Sequence, residues 1–542
     1  MTAIRDSPPP LAEDELPADR PAIHLGGEAE SIRVLTKTLA EGALPDTYVA
    51  SGALVHLTRI SGQDNGTVAA EPLTAAALSA LLAHHTFCYR LRDAGKDDNG
   101  KPLPPRRVEG SPTKAALAAV LSQKYWPDVR PLAGIVTAPV LRPDGSLLQT
   151  QGYDPTTALY YAPGTDMPTI PTKPTADQVH EAREFILGRL LRDFPFVAPA
   201  DRANHGGLLV APILRPMLNS LIPFGLISAT TQSSGKTLLA EIPGHVYGSK
   251  ILTWRSGDDA ELEKAITSAL HSPSPVMLWD NLKEGSEVSS PVLAQLLTSP
   301  EWSARMLGSS GAGFTAKNDR LWLATGNNIR LGGDMATRTV LIRLDPDMPH
   351  PDQRDQSGFG IPHLDAWLRE PQNRATVLRH LLVLVMDWIA AGAPKSEHTM
   401  RQFTTWAQAT GGLLAHHGIE GFLDNLDELR QADDENADWV AFLAQWRGLF
   451  KDDKKPSKRV HETYTFEPSQ WDGNFFTDDD GRAVSVKSLG RLLTAHVGRW
   501  HGDYVLRSAH DRRANSKVFW VEQAEPGDAD ETTQEPVQQP LA

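Results

Sequence analysis

Residues 225–237, Gly-Leu-Ile-Ser-Ala-Thr-Thr-Gln-Ser-Ser-Gly-Lys-Thr, constrain this chain more than any other stretch. Leu226 and Ile227 continue an apolar strand, and Leu238, Leu239 and Ala240 open a helix. Between them lies a loop of small residues, Ala229, Ser233, Ser234 and Gly235 among them. A strand that feeds such a loop and then a helix aims backbone N–H groups and a helix N-terminus at one point, which suits a phosphate group. Thr231, Gln232, Ser233, Ser234, Gly235, Lys236, Thr237 and Leu238 are therefore the expected nucleotide contacts; the loop itself fits ATP or GTP, and ATP is the expected cofactor. Lys236 supplies the mobile cation and Thr237 a hydroxyl for Mg²⁺. One position departs from the pattern G-x-x-x-x-G-K-[ST]: Thr230 stands where the first glycine belongs, so the loop entry must accommodate a Cβ. Without its strand and helix, Ser-Gly-Lys-Thr alone would be equally compatible with a chance turn.

A second apolar run, Pro275-Val-Met-Leu-Trp-Asp280, reads as a central parallel strand ending in an acid. Asp280 would sit at the carboxyl edge of the sheet and hold Mg²⁺ through water; the bland alternative is a helix N-cap. Asn281 follows, where a water-orienting glutamate is expected, so either Asn281 itself, Glu284 or Glu261 takes that task, or turnover is slow. A third strand, residues 320–328, ends in Asn327 and Asn328; an amide there can sense a γ-phosphate, with Asn327 the first choice. A fourth strand, residues 339–345, follows a polar loop that carries Asp334 and Arg338. Arg338 is the candidate arginine finger for a neighbouring subunit's nucleotide, with Arg343 in reserve. Both could instead form ion pairs with Asp334 and Asp345.

The order of phosphate loop, Val-Met-Leu-Trp-Asp-Asn, Ala-Thr-Gly-Asn-Asn and Asp-Met-Ala-Thr-Arg resembles the AAA+ ATPase core of superfamily 3, or poxvirus-type, replicative helicases. Phages, plasmids and integrative elements carry such proteins, and the resemblance covers about residues 200–350. Residues 132–145 and 152–155 also look like the domain that precedes the ATPase in that group. The resemblance implies a ring, hexamer favoured, around single-stranded DNA. It also implies a hairpin, residues 308–318, that carries Lys317 to the DNA with Phe314 as a weaker companion.

A chain of 542 residues suggests three or four domains. The expected organisation is α/β and multidomain: a tail over 1–21, an N-terminal α+β domain over 22–174, a linking helix over 175–199 and the P-loop core over 200–350. A helical lid or collar over 351–450, a linker over 451–460, a winged-helix domain over 461–523 and an acidic tail over 524–542 complete it. Within the N-terminal domain, residues 48–60 and 134–141 read as strands and residues near 72–83 and 113–124 as helices. No nucleophile–base pair or paired carboxylates stand out there, and His84 and His85 read as incidental. The apolar stretches are broken by Arg215, Asn219 and Asp387, and the N-terminus lacks an apolar signal region. With one cysteine, Cys88, no disulfide can form within the chain, and cytoplasmic residence with no membrane partner is the expectation.

A net charge of −14 opposes nucleic-acid binding, because a uniformly acidic surface repels phosphate. Residues 483–520 run the other way, with Lys487, Arg491, Arg499, Arg507, Arg512, Arg513 and Lys517 against Asp503 and Asp511. Leu489, Leu492, Leu493 and Val497 recur at helical spacing, which leaves Lys487, Arg491 and Thr494 on the other face. Two strand-like runs flank the loop 511–517, and a helix followed by a basic hairpin is the pattern of a winged helix, suited to duplex DNA. A protein-docking domain with a solvated basic face fits the same residues. The overall expectation is a DNA-dependent ATPase, a ring-forming helicase of a mobile element. A nucleotide-gated DNA-binding regulator with little hydrolysis is the alternative, and a non-DNA scaffold is a third and weaker one.

Overall fold

In the computed structural model, the described residues are 20–60, 67–164, 166–254, 258–272, 274–305, 313–346, 348, 351–426, 434–466, 471, 484–498, 500–501, 503–511 and 516–523. The expected tails therefore lie outside them, apart from Arg20 and Pro21. Five parallel strands form the central sheet: β1 (Phe224–Ala229), β2 (Ser249–Leu252), β3 (Val276–Leu282), β4 (Leu321–Asn327) and β5 (Thr339–Leu344). Their spatial order is β2-β3-β4-β1-β5. A parallel sheet covered on both faces needs continuous apolar strands, and all seven residues of β4 are buried. Trp279 of β3 and Trp322 of β4 stack at 5.2 Å between ring centroids.

The helix Pro199–Leu218 packs against β5 and the sheet. Gly225 of β1 is required by this packing, because a Cβ there would lie 2.5 Å from Leu323 and 2.6 Å from Leu208. Asn204 of the same helix is fully buried and satisfied: its Nδ2 donates to the Leu341 carbonyl, and its Oδ1 accepts from the Leu423 N–H. The next residue, His205, is buried and its Nε2 has no hydrogen-bond partner among the described residues. Burial holds its imidazole neutral, with the pKa pushed down from 6.5 to about 3. Between those two values the unfolded chain binds the extra proton, so stability is fully present above pH 6.5 and falls as pH drops toward 3. The loss expected at pH 5 is about 2 kcal/mol. Urea unfolding at pH 7 and pH 5 should show a gap smaller by that amount in His205→Gln than in wild type; equal gaps in both proteins would refute the assignment.

The N-terminal region contains a strand hairpin, Thr47–Ala50 with Ala53–Ile60, where the sequence suggested one run. Ser51 and Gly52, both with positive φ, make the two-residue turn that separates the strands. Helices Ala75–His85 and Lys114–Leu121 start at Thr74 and Thr113, whose hydroxyls accept from the N–H groups of Ala77 and Ala116. The expected linking helix over 175–199 is shorter: an α-helix spans Ala176–Phe185 and a π-turn spans Ile186–Leu190. The chain then runs beside β5, with the Val197 N–H donating to the Arg343 carbonyl and the Asp345 N–H to that of Pro195. The expected helical lid opens with two helices, Leu364–Arg369 and Pro371–Ala390, separated at Glu370 because Pro371 starts a new helix.

A separate compact unit includes residues 425–542. Its helix Asp434–Phe450, grouped by sequence with the lid, instead places Trp439, Phe442, Leu443 and Trp446 in the core of this unit. The strand Lys455–Pro456 pairs with Phe519 and Val518, and the helix Ser457–Phe466 follows, so the run 451–460 is structured in part and not simply a linker. Next come the helix Val486–His496 and the hairpin Tyr504–Asp511 with Ser516–Gln523. Among the described residues the order is thus helix, short strand, two helices, the short strand Trp500–His501 and the two-stranded hairpin with which it pairs.

Candidate functional site

In an open parallel sheet, ligands bind beyond the carboxyl ends of the strands where the strand order reverses. The reversal here lies at β1, with β4 on one side and β5 on the other. Ala229 at the end of β1 is level with Asn327 of β4 and Leu344 of β5, so the loop that follows β1 opens at that crevice. Ser233 and Gly235 take left-handed backbone conformations, with φ of 57° and 88°. Gly235 caps the helix Lys236–Tyr247. Thr230 is tolerated at the loop entry: its side chain is exposed, and its Oγ1 donates to Asp345 Oδ1 at 3.1 Å.

Asp280 lies in an irregularity of β3 between Trp279 and Leu282, where the register to β4 shifts. Such a bulge re-aims side chains. The Asp280 carboxylate accepts from Thr237 Oγ1 at 3.0 Å and from Thr325 Oγ1 at 2.6 Å. Thr325 Oγ1 in turn accepts from the Asn281 N–H at 2.8 Å. The strand therefore continues past the acid, while Asn281, with φ 57°, is exposed.

Lys236 is 8% exposed, and among the described residues no ion pair holds it. Burial lowers its pKa, opposed by the charges of Asp280 and Glu284. Glu284 accepts a 3.3 Å hydrogen bond from Asn328 Nδ2, which brings this carboxylate to the tip of β4. Glu261, the other carboxylate considered, is paired with Lys264 on its own helix. Asn327 is buried, and its Oδ1, with Thr231 Oγ1 and Ser234 Oγ of the loop, has no hydrogen-bond partner among the described residues. Three orphaned oxygens around a helix N-terminus fit a site built for a polar ligand and its cation. Thr237 and Asp280 would hold Mg²⁺, which supplies neutralisation of phosphate charge.

Arg338 precedes β5 and so lies at the amino edge of the sheet, opposite the loop. A strand of six residues spans about 20 Å, so Arg338 is not brought to the loop of its own chain. Arg343, the reserve, is committed elsewhere: its Nε lies 3.2 Å from Oδ1 of Asp201, and Asp201 is fully buried. Its sequence-predicted partner, Asp345, accepts from Thr230. Lys317 is exposed and stands at the root of the hairpin Glu301–Arg305 with Gly313–Lys317, opposite Glu301. The hairpin tip and the Phe314 side chain are outside the described residues.

In the C-terminal unit, Leu489 and Leu493 are buried whereas Lys487, Arg491 and Thr494 are exposed on the same helix. Lys517 of the hairpin donates to Thr494 Oγ1 at 3.3 Å, so it extends the helix's polar face. Arg512 and Arg513 fall outside the described residues. Among the described residues, no helix is long and apolar enough to cross a membrane.

No protein-family model matches the chain, and no curated protein matches it. Solved structures show loose likeness. The apo A form of the NrS-1 C-terminal region is 10% identical, with 91% of this chain and 98% of that chain covered and a TM-score of 0.37. An active helicase, Cch of SCCmec type IV, is 12% identical over 81% of this chain and 96% of its own, at a TM-score of 0.30. JCV helicase with a bound small molecule is 12% identical over 47% of this chain and 73% of its own, at 0.22. Likeness at this level assigns neither family nor activity.

Proposed function

We propose that the chain is an ATP-binding, DNA-dependent ATPase that works as a ring-forming replicative helicase of a mobile genetic element. The observation that carries the nucleotide assignment is the Thr237–Asp280 hydrogen bond beside Lys236 at the N-terminus of a helix. The strand order β2-β3-β4-β1-β5 supports an AAA+ assignment, as does Asn327 level with the end of β1. Arg338, at the opposite edge of the sheet, would serve the nucleotide of an adjacent copy. Glu284, held at the tip of β4 by Asn328, would orient the attacking water that Asn281 lacks a carboxylate to orient. Lys317 would contact single-stranded DNA in the channel, and the ring would be hexameric. ATP hydrolysis measured with and without single-stranded DNA tests this. Stimulated turnover supports a motor. ATP binding without turnover would leave a nucleotide-gated DNA-binding switch, a reading favoured by Asn281 itself.

The C-terminal unit is assigned as a winged helix that binds duplex DNA through Lys487, Arg491, Lys517, Arg512 and Arg513. Exposure of Lys487 and Arg491 beside Lys517 supports it. Phosphate contacts make affinity fall with salt, and each lysine removed should flatten the plot of log affinity against log salt by about 1. Fluorescence anisotropy with duplex DNA should show that change in Lys517→Ala. An unchanged slope and affinity would favour a protein-docking role.

A further inference from the structure

Beyond the nucleotide site, we propose that Asp387, His416 and His417 form a three-ligand site for a zinc-class divalent cation. His416 Nε2 lies 2.9 Å from Asp387 Oδ2, and His417 Nδ1 lies 4.0 Å from the same oxygen. All three ligand atoms fall within 4.8 Å of one another. A tetrahedral ion with bonds of about 2.0–2.1 Å needs ligand atoms roughly 3.3 Å apart, and the observed spacings straddle that value.

The protonation pattern of His417 points to a cation. Its Nε2 is 2.8 Å from the Leu384 carbonyl oxygen, which can only accept, so Nε2 carries the proton. In the neutral ring Nδ1 is then a bare lone pair that faces a carboxylate oxygen. Two acceptors face each other favourably with a positive centre or a donor between them, and a cation satisfies both lone pairs at once. A ring N–H bonded to a backbone carbonyl is also how metal-ligating histidines are usually oriented.

Helix electrostatics point the same way. Asp387 sits in the last turn of Pro371–Ala390, a helix with no basic residue in that turn. A carboxylate at a helix C-terminus meets the negative end of the dipole. His416 ends the helix Thr404–His416 and His417 caps it, so a second negative end lies at the same spot. A bound cation would neutralise both ends and tie the helices together. One charge opposes this: Arg183, whose Nε donates to the His417 carbonyl at 2.9 Å, but its guanidinium also lies 3.8 Å from Glu184. His417 is buried while Asp387 and His416 are partly exposed, which leaves the fourth position open to water. Two nitrogens and one oxygen suit Zn²⁺ over Mg²⁺ or Ca²⁺, which favour all-oxygen shells.

Untagged full-length protein, stripped with a chelator, should be titrated with Zn²⁺ alone and, separately, with Co²⁺. Binding of one ion per chain is expected, with tetrahedral Co²⁺ absorption and a Tm that rises with the logarithm of free Zn²⁺. His417→Ala and His416→Gln should each weaken binding at least about tenfold. Because His416 is partly exposed, His416→Gln decides the matter if His417→Ala does not fold. Absence of binding in wild type would overturn the proposal and leave an ordinary His416–Asp387 ion pair. Binding that neither substitution weakens would also overturn it, placing the ion elsewhere, for example at His496 and His501, whose Nδ1 and Nε2 are 3.1 Å apart.

Discussion

Lys236→Ala should lower ATP turnover by roughly 100- to 1000-fold, the range found when one donor to developing transition-state charge is removed. The side chain is 8% exposed, and burial already depresses its pKa, so its charge is held in a poorly solvated position. For the same reason the substitution should leave stability unchanged or raise it, since a desolvated cation without an ion-pair partner among the described residues is removed. Steady-state ATPase assays beside thermal melts check both halves. Turnover retained in Lys236→Ala would mean that the loop does not hold the reacting phosphate. Turnover lost together with Tm would mean that the lysine supports the fold instead.

Asp201→Ala should destabilise the core by about 3 kcal/mol, the lower end of the cost of breaking a buried pair. Asp201 is fully buried and accepts from the Ala198 N–H, the Arg343 N–H, and the Nε and Nη2 of Arg343, four donors among its partners. Truncation leaves all four without that acceptor. The partial exposure of Arg343 lets water relieve part of the loss, which is why the lower end applies. Asp201→Asn keeps an acceptor of the same shape and should cost less. Urea midpoints separate the variants; equal, small shifts would show that the pair contributes little.

The central strands were legible because parallel strands buried on both faces leave uninterrupted apolar runs, and Val276–Trp279 and Leu321–Ala324 are such runs. The end of β4 at Asn327 was legible too, because a polar residue closes its apolar run. The bulge after Trp279 was not, because Leu282 continues the apolar pattern only if two intervening residues are skipped. Partners distant in sequence were equally hidden: nothing near Arg343 marks Asp201, 142 residues away, as its acceptor. The run 451–460 was misjudged because charge density suggests solvent. In the fold Lys454 lies over the Trp520 ring at 4.4 Å, and Lys455 pairs in register with Phe519. The helix Asp434–Phe450 falls in the stretch read as helical, but helical propensity does not say which neighbour covers its apolar residues. The Asp387, His416 and His417 cluster joins residues 29 and 30 positions apart on two helices, a spacing that matches no short motif.

At Gly225 a hydrogen atom stands where any other residue would carry carbon, and Leu208 and Leu323 close over it. Strand β1, strand β4 and the helix Pro199–Leu218 thereby interlock too tightly for one to slide on another. Close packing of this kind favours their opening together rather than singly. The loop Thr230–Gly235 grows directly out of β1, so any ligand it holds would meet a loop whose near end is fixed by this packing and whose freedom lies farther along.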